Sequence, residues 1–93
     1  MADDNSVFIG SKPFMNYVTG VVIQFTTKGA REVIVKARGK FISRAVDVSE
    51  VAVKRFMKDQ IQLKEIKIDS EEFKNQEGHE VRVSTIEITL AKK

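Results

Sequence analysis

Apolar residues along this chain recur at two different periods, and the changes between them mark out six elements. Ser6-Val7-Phe8-Ile9-Gly10 reads as a short strand closed by glycine. Pro13 suits the start of a helix, where its missing N–H is not needed. Phe14, Val18, Val21, Val22 and Phe25 then fall on one helix face, and Lys28-Gly29 supplies a closing cation and glycine. Glu32-Val33-Ile34-Val35-Lys36 is β-branched and nearly continuous, as a buried central strand is. Gly39 turns the chain into a second helix, about Phe41 to Met57. One face carries Ile42, Ala45, Val46, Ser49, Val53 and Phe56. A second apolar stripe carries Phe41, Val48, Val51 and Ala52. One sheet does not cover so wide a surface, so part of it is expected to meet another subunit.

The last third reads as two long strands whose apolar parity switches once in each. Ile61 and Leu63 alternate, then Ile66 and Ile68 fall on the other parity; Val81 and Val83 alternate, then Ile86, Ile88 and Leu90 switch. An antiparallel register that sets Ile61 against Ile88, Leu63 against Ile86, Ile66 against Val83 and Ile68 against Val81 places both breaks opposite each other. The inner half of this hairpin belongs to the core. The outer half projects as an arm with its tip in residues 70–80, where Gln76-Glu77-Gly78 supplies turn chemistry. The order is β-α-β-α-β-β. It predicts an α+β two-layer sandwich: a four-stranded mixed sheet, two helices and a projecting hairpin arm. Residues 1–93 form one domain on this reading, with 1–5 as a flexible tail.

Composition narrows the class. Ninety-three residues hold one core, and 42% hydrophobic with 31% charged residues is ordinary for a globular domain. Without cysteine, disulfides and thiolate metal sites are excluded. Apolar runs are too short to span a membrane, and the acidic start does not resemble a signal peptide, so a cytoplasmic protein is expected. The net charge of +3 is unevenly placed. Residues 1–58 hold ten basic and five acidic groups, and residues 59–93 hold six and eight. Lys36, Arg38, Lys40 and Arg44 fall within nine residues that contain no acid, a concentration suited to a polyanionic partner.

Catalytic chemistry is poorly supplied. His79 is the only histidine and lies among Glu77 and Glu80 near the arm tip. Glu71-Glu72 reads as a solvated pair rather than a metal site, and no phosphate-loop or dinucleotide motif is present. No enzyme activity, cofactor or metal is expected. Phosphate contact is better supplied. A parallel β-α-β unit places the turns Gly10-Ser11-Lys12-Pro13 and Arg38-Gly39-Lys40-Phe41 at one sheet edge. Each combines a glycine, a lysine and a helix start, and Arg44 follows Lys40 on the same helical face. Phe41 is the only aromatic interleaved with these cations, so backbone contact is expected to dominate over base stacking.

The segment from Ile9 through Gly10-Ser11-Lys12-Pro13 to Val18 resembles the opening motif of the Alba family of archaeal chromatin proteins. Lys36 to Lys40 with Ile42 to Asp47 is similar to its central motif. Arg55-Phe56 and Val83 to Ile88 match further blocks, and the likeness runs from about residue 7 to 92. The resemblance implies a fold like the C-terminal domain of translation initiation factor three. It implies a homodimer that coats or bridges double-stranded DNA with little sequence preference, associates with the chromosome, and in many members binds RNA. It assigns nucleic-acid contact to Ser11, Lys12, Arg38, Lys40, Arg44 and, on the arm, Arg82, and contact between dimers to Arg55, Phe56 and Met57. Ser11 stands where the family commonly has the first of two lysines, and Phe41 replaces a small residue. The arm tip carries Glu71, Glu72, Glu77 and Glu80 against Lys74. RNA as the main partner, a small hydrolase and a protein-interaction adaptor are the competing readings.

Overall fold

The two periods become two layers in the computed structural model, which describes residues 5–93. The strands are β1 (Ser6–Phe8), β2 (Glu32–Arg38), β3 (Ile61–Lys74) and β4 (Glu80–Lys92). The helices are α1 (Phe14–Thr26) and α2 (Ile42–Val51). A 3-10 turn, Gly39–Phe41, leads into α2, and a π-helical turn, Ala52–Phe56, leaves it. The mixed sheet has the order β1-β2-β4-β3, with β1 parallel to β2 and the other pairs antiparallel.

The expected tail at 1–5 falls on residues 1–4, outside the described residues, and on Asn5, which is held. The Asn5 amide donates to the Glu32 carbonyl at 3.0 Å, and its own carbonyl accepts from Ile34 N–H at 2.9 Å. It is therefore fastened to β2 immediately before β1 begins, rather than part of a tail.

The core lies between the sheet and both helices. α1 contributes Val18, Val21 and Phe25, β2 contributes Val33 and Val35, and β4 contributes Ile88 and Leu90. Each side chain buried in this way stabilises the fold by roughly 1.5–3 kcal/mol. Along α2 and into the π-helical turn the inward stripe is Ala45, Val48, Ser49 and Ala52, which corrects the expected division of the second helix. Val48 and Ala52 belong to the core rather than to an uncovered stripe, whereas Val46 and Phe56 stand exposed. The small residues at 45, 49 and 52 let the helix sit close to the sheet, and that orientation turns Val46 and Phe56 away from it. Buried Ser49 is satisfied by donating to the Ala45 carbonyl at 2.9 Å.

The hairpin register also differs from the expected one. Leu63 pairs with Leu90, Ile66 with Ile88 and Ile68 with Ile86, while Glu71 and Phe73 face Val83 and Val81. A bulge between Leu63 and Glu65 accounts for the parity break in β3. The extra residue, Lys64, brings Ile66 and Ile68 onto the same helix-side face as Ile61 and Leu63. Lys64 itself reaches the outer face and forms an ion pair with Glu32 of β2, across the intervening β4. The switch in β4 is genuine: Ile86, Ile88 and Leu90 face the helices, whereas Val81 and Val83 face outward with Phe73. β2 pairs with β4 only as far as Arg38 opposite Thr85. Beyond that point the hairpin is a two-stranded arm ending in the turn at 75–79, and the molecule measures 47 × 25 × 20 Å.

Candidate nucleic-acid interface

Parallel pairing of β1 with β2 sends both strands to the same sheet edge, where Phe8 lies beside Lys36. The two basic turns follow from that edge, and side chains tie them together. Tyr17, buried on α1, accepts hydrogen bonds at its Oη from the N–H groups of Gly10 and Lys12, each at 3.0 Å. Arg44, from the first turn of α2, donates to the carbonyls of Gly10 at 3.3 Å and Lys12 at 2.8 Å. Its guanidinium lies 5.8 Å from the centre of the Tyr17 ring. The loop is thus fastened from both sides, with Ser11 and Lys12 exposed on it.

This arrangement redistributes the tasks expected of these residues. The N–H groups of Gly10 and Lys12 are engaged by Tyr17, so the loop offers a phosphate the Lys12 ammonium rather than those amides. Arg44 is half-buried and positions the loop. Gly39 opens the second turn at φ 56°, a left-handed conformation suited to glycine, and exposes Lys40 beside it. Lys40 Nζ lies 5.4 Å from the Phe41 ring centre.

Two predicted cations are paired with acids of the arm. Arg38 donates to Glu71 at 2.7 Å, and Arg82 donates through Nε to Glu72 at 3.1 Å. Both pairs are exposed, so water and salt weaken them and a phosphate competes with the carboxylate. Arg82 lies on the arm, beyond the part of β4 that pairs with β2.

The residues expected to meet a neighbouring dimer separate at the end of the second helix. Met57 N–H donates to the Ala52 carbonyl at 2.9 Å, five residues back, which widens the last turn. Met57 then points into the core at 4% exposure, while Arg55 and Phe56 remain outside. Met57 is therefore a core residue, which corrects its expected placement at a surface contact.

Sequence reasoning missed Tyr17, whose position on the apolar face of α1 concealed the role of its hydroxyl. It also missed the outer sheet face, where Phe8 is 64% and Phe73 45% exposed. Phe8 closes a strand of only three residues, too short for alternation to assign its side. Among the described residues no three metal-ligating side chains converge, and no helix is long and apolar enough to cross a membrane.

The Alba family model matches residues 5–70. The chain is 52% identical over 89 residues to the DNA/RNA-binding protein Alba of Methanococcus maripaludis, covering 96% of this chain and 99% of that one. It is 57% identical over 88 residues to the DNA/RNA-binding protein Alba of Nanoarchaeum equitans, covering 94% and 97%. The solved structure of Alba from Thermoplasma volcanium superimposes with a TM-score of 0.83 at 46% identity, covering 94% of this chain and 99% of that one.

Proposed function

The chain belongs to the Alba family, and we propose that it is an architectural protein that binds double-stranded DNA as a homodimer with little sequence preference. The observation that carries this reading is the strapping of the Gly10–Lys12 loop to α2 by Arg44, which holds Lys12 near the turn bearing Arg38 and Lys40. Cations fixed along one edge suit the regular charges of a nucleic-acid backbone. Exposed cations neutralise phosphates whatever the sequence, so affinity comes from phosphate neutralisation and counterion release. The names of its relatives support nucleic acid as the partner, and an association with the chromosome in the cytoplasm follows from this reading.

The homodimer is supported by apolar residues left uncovered on the helix side. Leu63, Ile66 and Ile68 on the edge strand β3 are more than half exposed, and Val46 stands out from the second helix. A second copy covering them also removes the liability of an open sheet edge. Packing of dimers along DNA then compacts or bridges it, with Arg55 and Phe56 at the contact.

RNA is the second reading, favoured by the dual DNA/RNA naming of the relatives. A-form geometry suits the same phosphate-binding edge.

The test is duplex binding measured over a series of salt concentrations. Lys12, Arg38 and Lys40 from two subunits reaching phosphates give a slope of log K against log salt of about −5. Unrelated duplexes bind within about tenfold of one another, since phosphates carry no sequence. A slope near zero, or one strongly preferred sequence, contradicts the mechanism.

A further inference from the structure

The outer sheet face, away from both helices, holds an open groove of about 690 Å³ where the arm leaves the body. Its apolar walls are Phe8, Phe41, Phe73 and Val83, and its cations are Lys36 and Arg38. Phe8 and Phe73 come from the two edge strands, and pairing across the sheet puts both on this face. Neither ring contributes to the core, and both are well exposed. Lys36 Nζ lies 5.4 Å from the Phe8 ring centre, so a charged donor accompanies the aromatic surface.

We infer that this groove receives an unpaired base of a single-stranded nucleic acid, stacked on Phe8 or Phe73. The inference rests on the nucleic-acid reading above and adds to it a site for unstacked bases. The occupant is argued from continuity. Arg38, Gly39 and Phe41 line the groove and belong to the turn that presents Lys40 to phosphate, so a strand tracking the basic edge passes the groove mouth. A base has two apolar faces and a polar rim. The groove matches both, with rings for the faces and Arg38, Glu71, Thr85 and Glu87 for rim hydrogen bonds. Glu71 and Glu87 offset the two cations, so the floor lacks the net positive charge suited to a phosphate and fits a neutral base. In a duplex the base faces are covered by their neighbours, so this groove acts on unpaired segments while the lysine edge serves both forms.

The experiment uses a single-stranded RNA oligonucleotide carrying one 2-aminopurine, whose fluorescence is quenched on stacking, and a duplex of matching sequence. Phe8→Ala and Phe73→Ala each lower single-strand affinity by about tenfold and reduce the quenching, whereas duplex affinity changes by less than about twofold. Phe8→Trp retains single-strand binding, because it keeps the stacking surface. Both positions are exposed, so these variants fold, and circular dichroism verifies that they do. If the wild type binds duplex with its full salt slope while both alanine variants bind and quench the single strand like wild type, the groove proposal alone is overturned. If wild-type binding to either nucleic acid is independent of salt, the phosphate reading fails first. A changed sedimenting species in Phe8→Ala, with single-strand affinity intact, assigns the groove to a second copy of the chain and also overturns the proposal.

Discussion

Arg44 donates a 2.8 Å hydrogen bond to the carbonyl of Lys12, so one basic residue of the central motif holds the backbone of another in the first loop. The pair joins segments thirty-two residues apart. It makes the placement of the Lys12 ammonium depend on a side chain that is itself engaged within the protein.

Loss of that strap acts on stability before it acts on charge. Tyr17→Phe leaves the N–H groups of Gly10 and Lys12 without their acceptor, and the expected destabilisation is about 1–3 kcal/mol by denaturant unfolding. Arg44→Gln lowers stability and duplex affinity yet leaves the salt slope within about one unit of wild type, because Arg44 is not counted among the phosphate contacts. A slope that falls by about two units per dimer instead makes Arg44 a direct phosphate ligand.

Lys12→Ala combined with Lys40→Ala removes four cations per dimer at the same edge. Duplex affinity is expected to fall by at least about tenfold, and the salt slope to become shallower by roughly 3 to 4 units. The fold is unaffected, since both lysines are exposed. Isothermal titration at several salt concentrations reads both quantities.

Glu71 competes with phosphate for Arg38. Glu71→Gln removes the competing charge, and duplex affinity rises by about threefold at low salt, the scale of an exposed ion pair. Added salt erases the gain, since screening weakens the pair in the parent protein too. A loss of affinity in this variant shows that Glu71 orients Arg38 for binding rather than withholding it.

Phe56 and Met57 are adjacent, yet they answer to different measurements. Met57→Ala opens the core and costs about 2–5 kcal/mol in chemical denaturation. Phe56→Ala costs far less, because half of that side chain already faces water, and it reduces the steepness of DNA coating. An equal loss of stability in both variants places Phe56 in a dimer interface that the fold requires.

Ile68, at 76% exposure the most exposed of the large apolar side chains among the described residues, is the sharpest probe of self-association. The parent protein is expected to sediment at twice 10.5 kDa and Ile68→Asp as a monomer. Circular dichroism of the variant reports retention of the fold. A monomeric parent refutes the homodimer directly.

The regular parts of this molecule were legible because their causes are local. The spacing of Val18, Val21 and Phe25 locates α1 and its buried face, and the β-branched run at 33–35 locates the central strand. The parity break near Lys64 was equally visible, but a bulge in one strand and a paired switch in two strands leave the same residue pattern. Only the hydrogen-bonded ladder separates them. On α2, both stripes are apolar enough for a core, and the choice between them depends on how closely Ala45 and Ala52 let the helix approach. At the candidate interface, the basic residues announced a charged edge. Their division into exposed lysines, a loop-holding Arg44 and acid-paired arginines required tertiary placement, because each partner lies far away in sequence.

The bulge at Lys64 also dictates where this chain tolerates a change in length. Ile61 and Leu63 lie before it and Ile66 and Ile68 after it, and one residue keeps the two pairs in phase on the helix side. Deleting Lys64 forces one pair onto the wrong face, and no sliding of β3 along β4 restores both, since sliding moves the pairs together. Insertions in the turn at 75–79 carry no such penalty, because the strands are already in register before the chain reaches it. Diverging copies of this sequence are therefore free to lengthen or shorten the arm at its tip, while its root keeps a fixed count of residues.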